Sequence, residues 1–240
     1  MIEAKVEKLF QESISKKRTS EFIKRAIFIV VERVLFKHYP ETYSTRCLQS
    51  SIAISSLLSH YGIISKPFIG ALCVSQVFKG STPPGWNGFW GEDHHIWVCN
   101  NFGEFIDLTV KYLHVHPASK TYDQVPMPSI WWEETMHWPR TIKYLHQGVV
   151  APKLSASETI DLEQFKADVM DEWFHLLKHS KEDEIIFPPI LSNAITLNAL
   201  HNQGDPWLVG SMYLEENNVP HPAWIVNREK ELMKPYTQKT

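Results

Sequence analysis

The sequence predicts an α+β fold in which helices flank an antiparallel sheet. Three observations predict it: apolar residues recur at helical spacing over 2–37 and 161–178, a β-prone apolar run covers 67–78, and two strand-like segments enclose a turn between 95 and 109. With 240 residues, 43% hydrophobic and 21% charged, the chain can bury about 70–75% of its unfolded surface and fold without a disulfide framework. It reads as a single domain over 1–240, with N-terminal helices at 1–43, a core at 44–150 and a mainly helical C-terminal extension at 151–240.

The first two helices rest on Val6, Leu9 and Phe10, then on Phe22, Ala26, Ile27, Val30, Val31 and Leu35. Thr19 or Ser20 is placed to cap the second, and Pro40 stops it. A third helix is expected from Ser44 or Thr45 through Cys47, Ile52, Ile54, Leu57 and Leu58 to Gly62. Its many small residues, Ser50, Ser51, Ala53, Ser55 and Ser56, suit a helix approached closely from several sides. After the 67–78 strand, residues 79–94 read as a loop, because Pro83, Pro84, Gly85, Gly88 and Gly91 interrupt Trp86, Phe89 and Trp90. Strands at 95–99 and 104–109 follow, separated by Asn100-Asn101-Phe102-Gly103. Residues 110–140 read as mostly irregular, 141–150 as a strand, 161–178 as an amphipathic helix and 190–200 as another helix.

Composition excludes several function classes. Lys and Arg number 24 against 27 Asp and Glu, and no basic face is evident, so nucleic acid is not an expected partner; Lys16-Lys17-Arg18 reads as a solvated turn. The longest apolar stretch is broken by Glu32 and Arg33, short of the ~20 residues a membrane span needs. Three cysteines, Cys47, Cys73 and Cys99, contain no CxxC pair, and the N-terminus lacks a signal-peptide pattern; a cytoplasmic protein is expected.

Cys47 falls in the first turn of the third helix, where unpaired backbone N–H groups and the helix dipole favour a thiolate. A thiol nucleophile also needs an imidazole to take its proton and a carboxylate to orient that imidazole. His95 and Asp107 on the predicted hairpin supply both. A turn centred on Asn101 sets them directly opposite one another, and a centre on any other residue makes them diagonal neighbours on one face. A centre between two residues turns them to opposite faces. His94 is the alternative base, although the His-x-Trp-Val spacing favours His95; Tyr43 and Gln49 are candidate oxyanion donors beside the Cys47 backbone N–H.

Cys47 on a helix ending at Gly62, then His95-x-Trp97-Val98 and Ile106-Asp107-x-Thr109, in that order, resemble the transglutaminase-like branch of the papain-like cysteine enzyme superfamily over residues 45–109. The resemblance implies a papain-like/transglutaminase-like core, a Cys-bearing helix packed on an antiparallel sheet, with extra helices at both ends. It implies Cys47 as nucleophile, His95 as base and Asp107 as its orienting group, with no metal and no organic cofactor. Arylamine acetyltransferases share that Cys-His-Asp plan, so hydrolysis and acyl transfer are implied alike.

Trp86, Phe89 and Trp90 lie just before His95 and are expected to line the substrate cleft, whereas Trp131, Trp132 and Trp138 suit the core better. His114-x-His116 would place two imidazoles on one face of a strand, the start of a metal site for a metal-dependent hydrolase; His175 and His179 suit a solvated helix face. The leading expectation is a thiol-dependent hydrolase or acyltransferase acting on a peptide, protein or small amide or thioester substrate. The alternative is a catalytically silent papain-like module that binds a peptide or protein partner.

Overall fold

The computed structural model describes residues 2–89, 95–117, 123–133, 137–181 and 185–237. Helix α1 (Glu3–Lys16) and helix α2 (Glu21–His38) form where the apolar period predicts them. Ser20 caps α2 by accepting from the Ile23 N–H, and the helix ends two residues before Pro40. The third helix starts later than the sequence suggests. A 3-10 turn occupies Tyr43–Thr45, Arg46 leaves helical geometry at φ −101°, ψ 39°, and helix α3 runs Cys47–His60, so Cys47 is its first residue. Gly62, at φ +80°, closes it off.

Strand β1 (Ser65–Gln76) organises the sheet. Strand β6 (Ile142–Val149) pairs with residues 68–74 along one edge. The other edge is shared end to end: strand β3 (His95–Asn100) pairs with 65–70, and strand β2 (Gly85–Phe89) with 72–76. Outward from β3 follow β4 (Phe105–Asp107), β5 (Ser129–Trp132) and β7 (Ile190–Leu191); the β5–β7 pair alone is parallel among these.

Three segments depart from expectation. The 79–94 loop contains β2, which β1 recruits through five paired positions. The irregular 110–140 region contains a 3-10 helix at Thr109–Val115 and β5, whose four residues are all buried and therefore show no two-residue alternation. The 190–200 segment divides into β7 and helix α5 (Ala194–Asn202), because the Asn193 side chain caps the helix at Thr196 and ends the strand before it. Helix α4 (Ala156–His179) begins five residues before its apolar stripe, held by a capping box between Ser155 and Glu158. Helices α6 (Pro206–Glu216) and α7 (Ala223–Thr237) complete the described chain. No helix among the described residues is long and apolar enough to cross a membrane.

Alternation gives the sheet two buried faces. On one, Val98 and Ile106 pack with Ala53, Ile54 and Leu57 of α3, with α2, and with Phe165 and Trp173 of α4. On the other, Leu72, Val74, Trp97, Phe105 and Trp132 pack with Trp207 and Leu208 of α6. Trp131 and Trp132 therefore belong to the core, on opposite faces.

Candidate functional site

The hairpin sets the site. Val98 pairs with Ile106 and Cys99 with Phe105, so its turn centres on Phe102, one residue later than a turn centred on Asn101. The Asn100 side chain explains the longer turn, since its Oδ1 accepts from the N–H groups of Phe102 and Glu104. One step further along this register Asp107 faces Trp97 and is diagonal to His95 on the same face. The diagonal is bridged directly: His95 Nε2 and Asp107 Oδ2 are 2.5 Å apart, and both residues are buried.

Cys47, half-buried at the head of α3, hydrogen-bonds through its side chain to His95. Burial opposes a charged His95, but the negative charge of Asp107, its hydrogen bond, and the contact with Cys47 outweigh it and raise the imidazole to about 10. The opposite holds for the other thiols: burial pushes both Cys73 and Cys99 up to about 12. His95 of β3 and Asp107 of β4 thus meet directly, and Cys47 at the head of α3 acts on the same imidazole.

Asp107 is held from four directions. Its Oδ1 accepts from the Val110 N–H at 3.0 Å and from Thr109 Oγ1 at 3.3 Å, and its Oδ2 accepts from Tyr144 Oη at 2.7 Å as well as meeting His95. Tyr144, on β6, was not among the residues singled out from the sequence. The alternation of 141–150 does put Ile142, Tyr144 and His146 on one face, yet nothing local announces a hydrogen bond to a carboxylate three strands away.

No family model, curated protein or solved structure matches this chain.

Of the three aromatic rings expected at the cleft, Trp86 is described, and it turns away from His95. Trp86 pairs with Ser75 of β1 while His95 pairs with Gly70, so the alternation of β1 turns the two side chains to opposite faces. The Trp86 indole N–H donates to the Pro220 carbonyl at 2.9 Å, and its ring lies 4.6 Å from that of His221, beside Ile225 of α7. Trp90, His94 and the side chain of Phe89 lie outside the described residues. Among the described residues the rings beside His95 are Trp97 and Tyr144, and Phe105 packs against both of them.

The remaining sequence candidates are scattered. Tyr43 packs edge-on against Phe36 and Tyr112, and Gln49 lies within the first turn of α3, two residues after Cys47. His114 sits in the 3-10 helix rather than a strand, with Nδ1 on the Lys111 carbonyl, so the alternation that would have aligned it with His116 is absent. Among the described residues no group of three or more His, Cys, Asp or Glu is placed to hold a metal ion.

Proposed function

We propose that this protein is a thiol-dependent hydrolase or acyltransferase with a papain-like core, working on an amide or thioester through an acyl-cysteine intermediate. The observation that carries the reading is the convergence of the Cys47 side chain, at a helix head, on an imidazole that a buried carboxylate holds at 2.5 Å. In this reading the Cys47 sulfur attacks the carbonyl carbon and a sulfur–carbon bond forms. His95, carrying the proton taken from the thiol, passes it to the leaving amine or thiol as the carbon–nitrogen or carbon–sulfur bond breaks. Water or an amine then attacks the acyl-cysteine carbonyl and gives a proton to His95, and as the carbon–sulfur bond breaks His95 returns that proton to the sulfur, which restores the thiol and releases the acid or amide. Backbone N–H groups at the head of α3 suit the oxyanion that forms in both steps.

A silent binding module is the second reading, favoured by one observation. Asp107 also holds the Val110 N–H and Tyr144, a structural task that it performs whatever Cys47 does.

Iodoacetamide labelling read by mass spectrometry separates the two. An active thiol is expected to label at Cys47 ahead of Cys73 and Cys99, and to do so near pH 6. His95→Ala should lose much of that low-pH reactivity, and Asp107→Asn should weaken it. If all three cysteines react slowly and only at alkaline pH in the folded protein, the binding module takes the lead.

A further inference from the structure

Two donors share one oxygen of Asp107. His95 Nε2 lies 2.5 Å and Tyr144 Oη 2.7 Å from Oδ2, while Oδ1 is occupied by Val110 and Thr109. The Tyr144 ring is fixed by neighbours on the same face: Phe105 at 4.3 Å, Trp97 at 5.0 Å and Trp138 at 5.4 Å between centroids. Its hydroxyl is therefore held on the carboxylate by packing. Burial, followed by the charge of Asp107, drives the phenol well above its ordinary value, so Tyr144 stays a donor across the range in which His95 titrates.

A carboxylate accepting only from an imidazole stabilises the imidazolium strongly, which helps the ring take a proton and hinders its release. A second donor on the same oxygen draws on the same charge and reduces that hold. We propose that Tyr144 is a positioning residue of the site, fixing the Asp107 carboxylate toward His95 and limiting how firmly Asp107 keeps the proton on the ring. The proposal rests on the reading of Cys47 as a thiol nucleophile. Among the described residues, the titratable groups acting on His95 are Cys47 from α3, Asp107 from β4 and His116 beyond the 3-10 helix, with Tyr144 acting through Asp107; β1 presents only Gly70 opposite it.

Alkylation by iodoacetate, an anionic reagent, reads the ring directly. Its rate at Cys47 is high while the sulfur is a thiolate beside an imidazolium, and it falls on the alkaline side as His95 loses its proton. In Tyr144→Phe, which keeps the ring packing, the alkaline limb is expected to move up by about half to one pH unit. Replacing Tyr144 by 3-fluorotyrosine, a stronger donor of the same shape, should move it down. Limbs that stay in place in both variants, with the rate lowered equally at every pH, would make Tyr144 merely structural and overturn the proposal. A wild-type profile with no bell overturns the thiol reading itself, and the proposal with it. The wild-type profile thus tells the two failures apart.

Discussion

At His95 burial and charge act in opposite directions, and charge prevails. The raised imidazole makes the folded chain bind that proton more tightly than the unfolded one, from an ordinary value of 6.5 to about 10. The stability it contributes is complete below pH 6.5 and is lost as pH climbs toward 10. Cys73 and Cys99, raised from 9.0, add losses of the same sign only at higher pH, so the window from 6.5 to 9 belongs chiefly to His95. Urea unfolding across that window should show the wild type losing up to ~3 kcal/mol, and His95→Gln, whose amide can still donate to Asp107, showing a nearly flat profile. Equal slopes would mean that the His95–Asp107 pair holds its proton no more tightly than free histidine.

Among the elements, the hairpin shows best what was legible in the sequence and what was not. Helices α1 to α4 and strands β1, β3 and β6 declare themselves through period and caps. The register was open because it depends on the Asn100 side chain capturing two N–H groups, a choice that composition does not fix. Strand β2 was hidden for a different reason. Gly88 reads as a loop residue, yet a Cβ there would come within 1.9 Å of the Leu72 carbonyl oxygen, so this glycine marks close strand contact. Tyr144 was hidden because its partner is set by the sheet as a whole. The hairpin is also tied to its surroundings by Glu104, a buried carboxylate that accepts from the Thr19 N–H, Thr19 Oγ1, Asn100 Nδ2 and Trp131 Nε1 at 2.6–2.9 Å. That one side chain joins the α1–α2 connection, the turn and β5. Glu104→Ala would strand four buried donors, and a loss of more than ~3 kcal/mol in chemical denaturation is expected. A loss below ~1 kcal/mol would mean that water reaches these donors.

For the whole molecule, charge is also buried where the N-terminal helices meet the sheet. Lys24 of α2, fully buried, pairs with Glu133 just beyond β5 and with Glu21. Arg18 also binds Glu133, at 2.7 Å, and Asn193 donates to it from the head of α5 at 3.0 Å. The arrangement fastens the N-terminal helices to the far edge of the sheet. Glu133→Ala should destabilise by up to about 3–5 kcal/mol, because it leaves the buried Lys24 ammonium with only the half-exposed Glu21 as a partner. Lys24→Met with Glu133→Leu should recover much of that loss, since the pair as a unit contributes little net stability. Thermal unfolding of the two variants checks both outcomes, and a double variant no better than Glu133→Ala would show that the network is needed for its geometry. The four-way bonding of Asp107 has a different consequence, which concerns descent. A lineage that gave up chemistry would still need this carboxylate to hold β4, the 3-10 helix and β6 in place, so its persistence among relatives would say little about activity. The part proposed for Cys47 is chemical, through its contact with His95. Under the proposed thiol chemistry, drift at position 47 beside an unchanging aspartate would mark a branch that kept the architecture and abandoned the reaction.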